Sequence, residues 1–207
     1  MKAPFIVLAA QRSGTHLLGT LLASHPELKM YGDLCNKGGD SPLPRNKDID
    51  KLGPGEGCIL MYADVCYTLQ DVGFLSKYLV VELKRRDEDA HGKSFVRMQG
   101  KIQNKMDISI HTLRGDRKPI VLPEPQEHHV AFAKQSIRDE RNAAAAKLAS
   151  FFPFYPFEVF YEDITEGGKD VEEVKNDITN QLLVYLGVEP RTLKTTLAKN
   201  RYTTKCE

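Results

Sequence analysis

Short apolar runs alternate along this chain with longer stretches in which apolar residues recur at helical spacing. Residues 5–10, Phe-Ile-Val-Leu-Ala-Ala, have no polar interruption, the pattern of a strand buried on both faces. Beyond a small polar loop, Leu17, Leu18, Leu21 and Leu22 return at the spacing of one helix face. The pattern predicts further strands over 28–33, 57–62, 79–84 and 157–161, and helices over 65–77, 88–105, 127–151 and 171–186. Strands alternating with helices predict an α/β fold, a three-layer sandwich with a largely parallel central sheet. Residues 38–57, rich in Gly, Pro, Asp and Lys, read as a long loop, either a mobile flap or a substrate-facing insertion. Residues 107–125, with a polar turn at 114–118 before an apolar triplet, read as an irregular hairpin arm near the substrate.

A chain of 207 residues can bury a substantial core without disulfides, so one domain spanning 1–207 is expected. Its 29 Lys and Arg against 28 Asp and Glu leave a net charge of +1, so no global basic field points to nucleic acid or to an anionic membrane. Charged ligands must be met locally. Cys35, Cys58, Cys66 and Cys206 form no Cys-x-x-Cys pair, so neither a metal site nor a disulfide framework is expected, and Cys58 and Cys66 read as buried small hydrophobes. The N-terminal apolar run is too short to cross a bilayer and is already used by the first strand. The expectation is a soluble, cytoplasmic protein without a membrane span; its oligomeric state is left open.

The chemistry concentrates where the first strand meets the first helix. Backbone N–H groups at a helix start have no intrahelical acceptor, and the dipole there favours an anion. Gly14 allows close backbone approach, Ser13 and Thr15 add hydroxyls, His16 lies within the same loop, and Arg12 adds a fixed cation. A plain strand–turn–helix unit capped by Ser13 or Thr15 is the competing reading. The loop is not a Walker A sequence, because no lysine follows Gly14 and no glycine lies five residues before it. After the 79–84 strand, Arg86 precedes Ser94 by eight residues. Eight residues are a little over two helical turns, so a serine on the helix can return beside an arginine at the strand end. The competing reading there is a solvated helix start, with Asp87, Glu88 and Asp89 complementing the dipole.

Arg12-Ser13-Gly14-Thr15 after an apolar strand resembles the loop with which sulfotransferases hold the 5′-phosphosulfate of 3′-phosphoadenosine 5′-phosphosulfate (PAPS). The Arg86 and Ser94 spacing resembles that family's 3′-phosphate site. Gly57-Cys-Ile-Leu-Met-Tyr62 is similar to a Gly-Phe-Lys-Leu-Met-Tyr strand of bacterial members related to the Nod-factor sulfotransferases, with Ile59 standing where those relatives carry lysine. Tyr161-Glu-Asp-Ile164 and the late Leu186-Gly-Val188 are similar to the family's Tyr-Glu-Asp-Leu strand and final helix. The late Arg-Lys-Gly loop of cytosolic animal members has no counterpart; Arg191, Lys194, Lys199 and Arg201 are the late cations.

The resemblance implies a P-loop NTPase-like sulfotransferase fold. It also implies PAPS as sulfuryl donor without a metal, and a small-molecule or carbohydrate acceptor. Arg12, Ser13, Gly14, Thr15, His16, Arg86 and Ser94 would bind the nucleotide. For the catalytic base it points to Asp33, in Met30-Tyr-Gly-Asp33, where several members carry a Gly-Glu; a turn-capping aspartate is the alternative. His16 is the competing base or leaving-group stabiliser, since imidazole titrates in a useful range, and Arg12 would stabilise the charge developing on the leaving phosphate. His128 and His129 are further acceptor-site candidates. A P-loop-like nucleotide or phosphate kinase, and a degenerate nucleotide-binding relative without catalysis, are the alternatives.

Overall fold

In a computed structural model, residues 2–33, 49–103, 112–113, 120–121, 124–165, 172–195, 197–198 and 202–203 are described. The first apolar run becomes β1 (Phe5–Ala9), none of whose residues is more than 1% exposed. Such a strand needs neighbours on both edges and cover on both faces. The neighbours are β3 (Glu56–Met61) and β4 (Leu79–Lys84), both parallel to it, with Phe5 opposite Gly57 on one side and Leu79 on the other. β2 (Lys29–Asp33) adds to β3, and β5 (Phe157–Phe160) adds to β4. The order is β2-β3-β1-β4-β5, all parallel. In such an open sheet, ligands bind outside the strand carboxyl ends where connections diverge. Here that point is the end of β1, between β3 and β4.

The α1 helix (Thr15–Ala23) and α4 (Asp177–Tyr185) cover one face, burying Leu18, Leu21, Leu182 and Leu183 against Val7, Ile59 and Val81. The opposite face packs Ile6, Leu8, Cys58 and Leu60 against Ala144 and Leu148 of α3 (Glu127–Ala149). The result is the three-layer α/β arrangement. The α2 helix (Glu88–Gln103) lies on α3, and Gly92 allows a close approach: a Cβ there would sit 3.0 Å from Val130 Cγ1, tight enough that the neighbour would have to shift.

Residues 65–77 do not form the single expected helix. A π-helical turn, Asp64–Thr68, and a 3₁₀ segment, Gly73–Lys77, flank extended backbone at Leu69. The break is held by Lys147, whose ammonium donates to the Val65 and Leu69 carbonyls at 2.9 and 2.6 Å, and by Asp71, which accepts the Gly73 N–H. The last helix starts at Asp177 rather than 171, behind an Asn176–Thr179 capping box. Residues 173–174 pair instead with 193–194. The expected hairpin arm is also different: 112–113 pairs with 197–198 and 120–121 with 202–203, so each strand finds a C-terminal partner rather than the other. Most of the 38–57 loop lies outside the described residues. Of the cysteines, Cys58 is buried and Cys66 partly so; Cys35 and Cys206 lie outside the described residues. No helix among the described residues is long and apolar enough to cross a membrane.

Candidate functional site

At the end of β1 the chain makes a tight turn that positions its own backbone donors. The Ser13 hydroxyl donates to the Ala10 carbonyl at 2.7 Å and the Ser13 N–H to the same oxygen at 3.4 Å. Its proton is therefore used inside the loop, so the hydroxyl serves to shape the turn rather than to donate to a ligand. Arg12 (φ 66°) and Gly14 (φ 97°) have positive φ on either side of Ser13. That alternation turns successive N–H groups toward one concavity, an arrangement suited to an anion. A side chain at Gly14 would put its Cβ 2.4 Å from the Tyr161 ring, so only glycine fits.

The α1 N-terminus carries no side-chain cap and no acidic residue in its first turn. Neither Ser13 nor Thr15 caps it. By contrast, Asn176 caps α4, and Asp87 accepts the Ala90 N–H at 2.8 Å at the start of α2. The first N–H groups of α1 thus keep their positive field open at the carboxyl edge of the sheet.

Two guanidinium groups border the loop. Arg12 Nε donates to Ser94 Oγ at 3.4 Å, which joins two of the sequence candidates across 82 residues. Arg85 Nη1 donates to the Arg12 carbonyl at 3.4 Å, and its guanidinium lies 4.4 Å from the Tyr161 ring centroid. Arg85 Nε is buried with no hydrogen-bond partner among the described residues. Burial, aided by the nearby Arg12 charge and opposed by Glu162 and Asp87, pulls Arg85 below the ordinary arginine value. Neither Arg12 nor Arg85 forms an ion pair among the described residues.

Arg86 points elsewhere. It makes a bidentate pair with Asp163 at 2.7 and 3.0 Å, its backbone N–H donates to Glu162, and its guanidinium lies over Phe160. The strand end therefore splits its two arginines, Arg85 toward the β1 loop and Arg86 toward the turn after β5. The family resemblance singled out Arg86. Only the packing identifies Arg85.

His16 is held at a pKa of about 4, first by burial and then by the Arg12 charge. It is neutral at pH 7 and a weak proton acceptor. His91 was not foreseen. It is 6% exposed, and the Gln11 carbonyl lies 2.8 Å from its Nε2. A carbonyl only accepts, so Nε2 carries the proton and His91 ties α2 to the loop. Burial, with Arg85 and Arg12, lowers its pKa to about 4 although the Gln11 contact opposes the shift.

Asp33 ends the edge strand. Its ladder partner is Ile59, which faces Val7 of β1, so two inter-strand spacings, roughly 10 Å, separate its backbone from β1. His128 and His129 are exposed at the start of α3, with ring centroids 4.1 Å apart. Among the late cations, Lys194 pairs with Glu173 at 2.8 Å, while Lys199 and Arg201 lie outside the described residues.

On the α3 side of the loop a shallow cleft opens between the ends of β3 and β4, the start of α2 and the middle of α3. Ala10 and Ser13 form its border with the loop, and Tyr62 is among the groups that line it. The Tyr62 hydroxyl donates to the buried Glu82 carboxylate at 2.6 Å, and Lys84 pairs with Glu82 at 3.0 Å and also with Glu158. Burial and the adjacent Glu82 charge raise the Tyr62 phenol well above its ordinary value, so it is a fixed donor. No family model matches the chain, and no curated protein matches it.

Proposed function

We propose that the chain is a PAPS-dependent sulfotransferase that holds the 5′-phosphosulfate in the loop before α1 and passes the sulfuryl group to a hydroxyl acceptor. The observation that carries this reading is the uncapped α1 N-terminus, ringed by Arg12, Arg85 and Ser94 and set at the end of the central strand. Backbone amides and guanidinium groups are suited to a phosphate whose charge grows as the bridging S–O bond breaks. The acceptor oxygen forms the new S–O bond, its proton passes to a base, and adenosine 3′,5′-bisphosphate leaves. Asp33 and His16 remain the candidates for that base. The low pKa of His16 favours a binding role for it, and the place of Asp33 on the edge strand requires an acceptor that reaches across β3. In this reading Arg86 exchanges Asp163 for the 3′-phosphate.

Calorimetry with adenosine 3′,5′-bisphosphate and AMP, without magnesium, tests the assignment. The bisphosphate is expected to bind more tightly. Arg86→Ala should cost about 2–4 kcal/mol of bisphosphate binding and leave AMP binding nearly unchanged. Equal losses for the two nucleotides remove the 3′-phosphate role, and a strict magnesium requirement favours a kinase.

A further inference from the structure

The cleft beside the loop is lined by five basic side chains, Lys84, Arg85, Lys134, Arg138 and Arg141, and one carboxylate, Glu88. Three of the cations already have partners: Lys84 with Glu82 and Glu158, Lys134 with Asp89, and Arg138 with Glu88. Arg85 and Arg141 have no carboxylate partner among the described residues. Arg141 stands close enough to affect both Tyr62 and Glu88 electrostatically, so a fixed positive charge and the Tyr62 edge meet in the same space.

We propose that this cleft is a second anion subsite and that the acceptor is a small molecule bearing a phosphate, carboxylate or sulfate group, which Arg141 holds. The cleft opens onto Ala10 and Ser13, so an acceptor anchored there presents its hydroxyl toward the loop. Naming this ligand the acceptor rests on the sulfotransferase reading; the anion subsite itself does not.

The test uses inorganic phosphate as the probe, titrated by calorimetry into the full chain with and without saturating adenosine 3′,5′-bisphosphate. Phosphate is expected to bind the nucleotide-saturated protein. Arg141→Met, which keeps the aliphatic stem, should weaken that binding by about 10- to 100-fold. The affinity for adenosine 3′,5′-bisphosphate should stay unchanged. Arg141→Lys keeps the charge but loses the planar fork; it should fall between the two and serves if the methionine variant fails to fold. Phosphate that binds only in competition with the nucleotide overturns the proposal, because the cleft would then hold the nucleotide's own phosphate. Equal phosphate affinity in wild type and both variants also overturns it. Should the nucleotide not bind at all, the sulfotransferase reading fails while the Arg141 dependence of phosphate binding to the free chain still decides the subsite.

Discussion

The face of the sheet under α1 and α4 receives an apolar set of strand residues from its inner strands, among them Val7, Ala9, Ile59, Met61 and Val81. The same strands turn a different set toward α3. Near their carboxyl ends Ile6, Leu8 and Leu60 give way to Tyr62, Glu82 and Lys84, which bond to one another around the cleft. The change is made by single-residue alternation: Met61 faces one side and Tyr62 the other. One face is therefore free to serve stability alone, while the other carries polar groups whose retention needs a second purpose. A buried carboxylate is costly unless fully bonded, and Glu82 is bonded by a phenol and an ammonium group that both line the cleft.

The largest expected effect tests the apolar side of this comparison. Leu182, on α4, is fully buried in the α1–α4 layer. Leu182→Ala should destabilise the protein by about 2–5 kcal/mol through lost burial and the cavity left behind. Ligand affinity measured on the folded protein should be unaffected, because no group of the loop or cleft is altered. A matched loss of phosphate affinity would show that the two faces are not separable.

The inner strands were readable in the sequence because buried parallel strands leave near-continuous apolar runs, while the edge strands show a mixed pattern of buried and more exposed positions. The expected 5–10, 28–33, 57–62, 79–84 and 157–161 compare with Phe5–Ala9, Lys29–Asp33, Glu56–Met61, Leu79–Lys84 and Phe157–Phe160. Residues 65–77 misled because Val65, Val72 and Leu75 are buried without continuous helix; the bonds that break the segment come from Lys147, far along the chain. The loop around Arg12 and Gly14 was legible as a local motif. Arg85, His91, Tyr62 and Glu82 were not. Each belongs to a cluster assembled from different elements, such as His91 with Gln11 across 80 residues, and no spacing along the chain encodes such a meeting. At the end of β4 two adjacent arginines offered equal chemistry, and only Tyr161 on one side and Asp163 on the other separate their roles.

A smaller effect is expected from Tyr62→Phe, which removes a single oxygen from the polar side. The ring continues to pack with Ile6 and Leu8 against α3, but Glu82 loses its 2.6 Å donor and keeps Lys84. A buried acceptor left short of a partner costs about 1–3 kcal/mol. Denaturant unfolding at pH 7 reads this directly. If the variant is as stable as wild type, the Tyr62–Glu82 bond contributes nothing and the polar cluster does not restrain this face.

The smallest effect separates the faces by pH. His91 lines the cleft, and its pKa is lowered from 6.5 to about 4, chiefly by burial. Well above pH 6.5, near pH 8, the histidine is neutral both folded and unfolded and adds almost no pH dependence. As pH falls below 6.5 the unfolded chain takes up a proton that the folded protein refuses, so stability declines until about pH 4. By pH 6 the loss from this one group is about 1 kcal/mol relative to pH 8, and it grows on further acidification. His16 acts in the same direction, so removing His91 flattens the dependence without abolishing it. His91→Gln offers an amide donor for the Gln11 carbonyl but cannot titrate. Chemical unfolding at pH 8, 7 and 6 should show wild type losing more stability than His91→Gln over that interval. Leu182→Ala, on the apolar face, should lower stability by the same amount at each pH. If His91→Gln retains the wild-type slope, the histidine is not held neutral by burial, and its tie between α2 and the loop is looser than the 2.8 Å contact implies.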